Sequence, residues 1–184
     1  MEKRENQRIA LTRRLLQDGL LRLLAIKKLE HISVTALCKE AGINRATFYN
    51  HYTSPIALLE EMERQLVSEL EEISHPAKSV EDITLQFEQM CVKLRDNAEL
   101  VNILVHYHAD RDLEEIVVRL AQYYGENRLD LSNTKMDTDT LHLVSTFLYS
   151  GCYQMIQEWL IRGINKSPRE IAALALSIVS KEYL

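Results

Sequence analysis

Apolar residues recur along this chain at helical rather than alternating spacing. Ile9, Leu16, Leu20, Leu23 and Leu24 stand three, four or seven positions apart and predict an amphipathic helix over residues 3–26. Lys27 and Lys28 near its end suit the negative pole of a helix dipole. Ser33 then has the chemistry of an N-cap for a helix over 34–41, and Gly42 follows where a left-handed turn costs least. A second short helix over 44–52 starts on Asn44. Ser54-Pro55, a cap followed by Pro at the first helical position, starts another over 55–73, which ends before His75-Pro76.

The pattern continues with longer helices. Ser79-Val80-Glu81-Asp82 opens one that reaches Asp96, and residues 98–107 and 112–128 read as two more. The polar stretch 129–137 reads as a loop. A long helix over 138–162 ends at Gly163, and Ser167-Pro168-Arg169-Glu170 combines cap, Pro and Glu to start the last, over 168–183. Only five Gly and three Pro occur in 184 residues, too few for the turns of an all-β fold, so the expected class is all-α. The expected divisions are residues 1–54, a connecting helix over 55–74, and a bundle over 75–184.

No apolar run approaches the ~20 residues that cross a bilayer, and Met1–Glu5 leads into no signal-peptide core, so no membrane partner and a cytoplasmic location are expected. Cys38, Cys91 and Cys152 are widely spaced and odd in number, which suggests neither a disulfide framework nor a zinc cluster.

Charge divides the chain. Residues 1–53 hold ten Lys/Arg and five Asp/Glu, a net of +5, whereas the rest hold twelve and twenty-two, a net of −10. A basic head on an acidic body suits a protein that presents one end to a polyanion. The head also contains two short helices joined at a Gly, the form of a helix-turn-helix. Leu37, Ala41, Ile43 and Phe48 would make its small core, with Cys38 small enough for a close crossing. The second helix would expose Arg45, Thr47, Tyr49, Asn50 and His51, which supply donors for phosphates and base edges in a major groove wide enough for a helix.

The run Ile32 to Tyr52, and above all Ala41-Gly42-Ile43-Asn44-Arg45-Ala46-Thr47-Phe48-Tyr49-Asn50-His51-Tyr52, resembles the signature of the tetracycline-repressor (TetR) family. The likeness is good over residues 8–70; the body matches only in length, helical character and its last two helices. The resemblance implies an all-helical homodimer that binds a near-palindromic double-stranded DNA operator, with two recognition helices one DNA turn apart. It assigns an N-terminal three-helix DNA-binding domain and a C-terminal bundle that dimerises and takes an effector. By position, Ser33 and Thr47 match phosphate contacts, Thr35, Arg45 and Asn50 match base-facing positions, and Tyr49 and His51 match residues that brace the DNA backbone. The chain departs from the pattern twice: Pro55 stands where members often carry a phosphate-binding Lys, and Lys28 where a Gly often closes the first helix. Repression is the family's usual mode.

The helix around Leu141–Leu160 is apolar on more than one face, so it should be buried, either between its own core and a partner chain or wholly within its own core. Leu148, Gly151, Cys152, Met155 and Trp159, with Ile171, Leu174, Ala175 and Ile178 of the last helix, are the expected dimer interface. Candidates for the wall of an effector pocket are Phe87, Met90, Cys91, Leu94 and Leu104, with Tyr107, Tyr123, Tyr124, Phe147 and Tyr153; packing in the core is the alternative for each. The effector is open, a small molecule or a partner protein, and constitutive DNA binding is the rival to ligand control.

No phosphate-binding Gly loop, metalloprotease helix or nucleophile elbow is present, so no enzyme and no cofactor are expected. His106-Tyr107-His108 puts two imidazoles two apart on a helix, poor chelation geometry with no acidic or Cys cluster to complete it, and no metal is expected.

Overall fold

The computed structural model describes residues 2–73, 79–107 and 137–181. These residues form helices, and no strand occurs among them. The chain divides into two units, Met1–Leu66 and Val67–Leu184.

The first unit opens on α1 (Glu2–Leu24). Leu16, Leu20 and Leu23 are its buried stripe, at most 7% exposed, while Ile9 is 38% exposed and lies outside it. After α1 a single 3-10 turn at Leu29–His31, which the periodicity does not predict, tucks Leu29 and Ile32 into the core. Lys28 precedes that turn with φ −70° and ψ 149°. Extended backbone of this kind is open to any residue, so no glycine is required where the family often has one.

Helix α2 (Val34–Ala41) starts as expected: the Ser33 hydroxyl accepts from the Ala36 N–H at 3.2 Å. It buries Leu37, Cys38 and Ala41. Gly42 ends it at φ 66°, and the Ile43 N–H donates to the Cys38 carbonyl at 2.9 Å. Glycine takes this left-handed conformation without the backbone strain a side chain would bring, although the space around it is open. Helices α1 and α2 approach closely at another glycine. A Cβ at Gly19 would lie 3.1 Å from the Ala41 Cβ and 3.3 Å from its backbone, so two small residues set this crossing.

Helix α3 (Arg45–Tyr49) is shorter than its expected span; the Asn44 side chain accepts from the Ala46 N–H at 2.9 Å, and a turn carries on to Tyr52. Phe48 is wholly buried, and the His51 and Tyr52 N–H groups both donate to its carbonyl at 2.9 Å. Helix α4 (Pro55–Ile73) begins with the Ser54 hydroxyl accepting from the Ala57 N–H at 3.1 Å. Pro55 is tolerated at this first position because its missing N–H would have no helical partner anyway. Leu58, Leu59, Met62 and Leu66 form its buried face in this unit. The helix crosses the boundary between the units, with Leu70 buried in the second and Glu69 paired with Lys93 at 2.8 Å.

In the second unit, α5 (Val80–Asp96) is capped by the Ser79 hydroxyl on the Asp82 N–H. It packs chiefly against the last helix, burying Gln86, Met90, Cys91 and Leu94. Helix α6 (Ala98–Tyr107) buries Leu100, Val101 and Leu104 and packs on α7 (Thr138–Ile161). Asp137 caps α7, and the bond from the Thr140 N–H to its carboxylate holds its pKa below the usual carboxylate range. Gly163, at φ 57°, turns the chain towards α8 (Pro168–Lys181), while the Trp159 indole N–H donates to the Lys166 carbonyl at 3.0 Å. A reciprocal cap starts α8: the Ser167 hydroxyl accepts from the Glu170 N–H, and Glu170 Oε2 accepts from the Ser167 N–H at 2.8 Å. The expected helix over 112–128 lies outside the described residues.

Candidate nucleic-acid interface

The helix-turn-helix leaves most of the expected residues exposed. Ser33 and Thr35 are exposed at the start of α2, and Arg45, Tyr49 and Asn50 are exposed along and just after α3. Tyr49 is 53% exposed, a high value for an aromatic residue beside a core Phe. Thr47 and His51 are half-buried. The face is held from behind by Phe48, whose ring meets Tyr49 edge-on at 5.6 Å and Tyr52 at 5.9 Å. Ser33 caps α2 by accepting a hydrogen bond, which leaves its own O–H free to donate.

Two exposed ion pairs link helices of this unit. Arg22 Nε donates to Glu40 Oε1 at 2.6 Å and ties the last turn of α1 to the end of α2. Arg13 Nη1 lies 3.4 Å from Glu61 Oε1, joining α1 to α4. The Tyr52 hydroxyl donates to the same Glu61 oxygen at 3.2 Å. Burial, with the Glu61 carboxylate beside it, pushes the Tyr52 phenol up to about 12. Nothing in the spacing of the sequence marks this cluster, because its members lie on three separate elements. Arg8 and Arg14 are exposed on α1 and add to the positive charge of the unit.

The thiols are sheltered. Cys38 is 5% exposed and its pKa is raised by burial, with Arg45 opposing the rise. Burial pushes the Cys91 thiol up to about 12, with Cys152 and Glu88 adding to the effect, and raises Cys152 as well. Among the described residues no group of three or more His, Cys, Asp or Glu is placed to hold a metal ion. The side chains of His106 and His108 lie outside the described residues.

Of the residues considered for a pocket wall, Met90, Cys91, Leu94, Leu104 and Tyr153 are buried and Phe87 is half-buried. The Tyr153 hydroxyl accepts from Gln157 Nε2 at 2.6 Å. Phe147 stands apart from that group at 76% exposed, with Leu143 one turn earlier at 69%. Tyr123, Tyr124 and the side chain of Tyr107 lie outside the described residues. Of the residues considered for a dimer face, Leu174 and Ile178 are 43% and 48% exposed, and a Cβ at Gly151 would meet nothing within 4 Å. Cys152 and Met155 are half-buried; Trp159, Ile171 and Ala175 are buried within the protomer. The side chain of Leu148 lies outside the described residues. No described helix is long and apolar enough to cross a membrane.

Comparison with known proteins agrees with this geometry. The TetR-type family model described as a transcriptional regulator C-terminal region matches residues 81–181. Among solved structures, the chain is similar to the dihydroxyacetone kinase operon activator DhaS, at 15% identity and a TM-score of 0.61 over 94% of this chain and 96% of that one. A TetR transcriptional regulator from Streptococcus agalactiae 2603V has 16% identity and a TM-score of 0.59 over 97% and 99%. The fatty acid degradation regulator FadR from Bacillus halodurans has 11% identity and a TM-score of 0.60 over 89% and 92%. At these identities the likeness is one of fold. No curated protein matches the chain in sequence.

Proposed function

Because the chain belongs to the TetR family of transcriptional regulators and is therefore a DNA-binding regulator of transcription, we propose that it binds a near-palindromic operator as a homodimer, acts as a repressor and is released by an effector. The observation that carries this reading is the exposed face of α3: Arg45, Tyr49 and Asn50 project from a helix fixed by Gly42 and Phe48. Arg45 and Asn50 are suited to base edges, as is Thr35 on α2. Ser33 and Thr47 are suited to phosphates, and Tyr49 and His51 to bracing the DNA backbone. With Pro55 in place of a Lys, more of the phosphate contact falls to the arginines of α1.

A two-fold DNA site calls for a two-fold protein. Support for the dimer is the exposed apolar residues of α7 and α8, Leu143, Phe147, Leu174 and Ile178, with Gly151 open to solvent one turn after Phe147. Trp159, Ile171 and Ala175 would stiffen that face from within. The effector, a small molecule or a protein, is assigned to the second unit, around Met90, Leu94 and Leu104, with the Tyr153 hydroxyl as a polar group to orient it. An effector that favours a dimer with misplaced recognition helices would lower DNA affinity by shifting the population. The structural relative DhaS is an operon activator by name, so activation is the alternative output. The protein reads and releases DNA in this account and carries out no reaction.

The test is a binding titration on duplex DNA enriched by the protein from a random pool. Arg45→Ala should weaken binding by about tenfold or more, as loss of a base-edge contact worth roughly 1–3 kcal/mol implies, and Tyr49→Phe by less. Both variants should keep wild-type helicity in circular dichroism. Wild-type affinity in both variants would overturn the contact assignment.

A further inference from the structure

Three elements of the first unit meet on one carboxylate oxygen. Glu61 Oε1, on α4, accepts from the Tyr52 hydroxyl at 3.2 Å and lies 3.4 Å from Arg13 Nη1 of α1. Tyr52 is itself joined to the recognition helix. Its N–H donates to the Phe48 carbonyl at 2.9 Å, and its ring lies 5.9 Å from that of Phe48. The residue is 4% exposed, so a hydroxyl that lost Glu61 would be left with little access to water. At 3.2 Å the bond is at the long end for O–H···O, so a small change in the angle between α3 and α4 is enough to break it.

We propose that Tyr52 and Glu61 are positioning residues for DNA recognition: the Tyr52–Glu61 hydrogen bond, with Arg13 on the same oxygen, sets the angle of α3 on α4. The inference rests on the DNA-reading function proposed above. Neither side chain touches DNA in this account; both act through the placement of Arg45 and Asn50. A misplaced helix loses base contacts before it loses general attraction to phosphates, so the residues should govern discrimination more than bulk affinity.

The experiment uses the full chain, a fluorescent duplex enriched from a random pool, and a scrambled duplex of the same length. Wild type, Tyr52→Phe, Glu61→Gln, Glu61→Ala and the Tyr52→Phe/Glu61→Ala double variant are titrated by anisotropy, with helicity followed in parallel. Tyr52→Phe and Glu61→Ala should each lower the ratio of enriched to scrambled affinity by about three- to tenfold, the range one net hydrogen bond spans, with helicity unchanged. Glu61→Gln, which keeps an oxygen for Tyr52, should retain most of the ratio, and the double variant should fall no lower than Glu61→Ala. A wild-type ratio in Tyr52→Phe overturns the proposal, as do losses that multiply in the double variant or equal losses in Glu61→Gln and Glu61→Ala. If wild type binds no duplex, the DNA reading itself fails and this inference with it.

Discussion

The helix-turn-helix and the last two helices each expose a face to solvent, and the faces differ in chemistry. Around α3 the outward residues are Arg45, Tyr49 and Asn50, groups that carry hydrogen-bond donors and sit over a fully buried Phe48. Along α7 and α8 the outward residues include Leu143, Phe147, Leu174 and Ile178, which have no donors and stand 43–76% exposed. The first face suits a hydrated polyanion, whereas the second has the makings of an apolar interface core. Exposure alone therefore does not identify a partner; the chemistry of what is exposed does.

The largest expected effect breaks the apolar face. Replacing Leu143 and Phe147 together by Glu should raise the dimer dissociation constant by at least about a hundredfold, since central apolar anchors dominate such interfaces. Analytical ultracentrifugation at micromolar concentration would show it, and an unchanged dimer would remove this face from the interface. The polar face should be indifferent to that change in its fold and sensitive to its own support. Gly19→Leu forces a side chain against Ala41, already 3.1 Å from an added Cβ. Overpacking of this kind costs about 1–3 kcal/mol, which thermal unfolding would register as a clear drop in midpoint.

A smaller effect separates the thiols of the two units. Cys38, Cys91 and Cys152 all have raised pKa values, and Cys91, at about 12, is almost entirely protonated near neutrality. Since the thiolate is the reactive form, Ellman's reagent at pH 8 should titrate the native protein slowly and Cys91 last, with all three thiols released at once in denaturant. Rapid native reaction of Cys91 would contradict the packing of α5 described here. The smallest effect lies in strong base. The Tyr52 phenol is raised from about 10 to about 12 in the folded state, so its contribution to stability is complete below pH 10 and is lost as the pH rises towards 12. Tyr52→Phe should flatten that part of the stability profile, as followed by chemical denaturation between pH 9 and 12.

What could be read from the sequence was local. Ser33, Asn44, Ser54, Ser79 and the Ser167–Glu170 pair each cap the helix that follows, because a cap needs only residues within one turn. The left-handed Gly42 and Gly163 were legible for the same reason. Contacts that join distant residues were not. The approach of Gly19 to Ala41 and the meeting of Arg13, Tyr52 and Glu61 leave no periodic trace, and the 3-10 turn at Leu29–His31 is too short to have one. On the polar face of α3 the residue types themselves pointed to the candidate site, since Arg, Thr, Tyr and Asn on a short helix are costly to bury. On α7 the same reasoning was weaker: an apolar helix looks alike whether it covers its own core or another chain, and nothing in the spacing marks Phe147 as the residue left 76% exposed.

The most direct test of the account is hydroxyl-radical footprinting of the wild-type protein on duplex DNA enriched from a random pool, with Arg45→Ala as the control. The account predicts two equivalent protected patches related by a two-fold axis, with major-groove centres about one helical turn, or a whole number of turns, apart, and their loss in Arg45→Ala at the same protein concentration. A single protected patch, or protection that survives in Arg45→Ala, would contradict it.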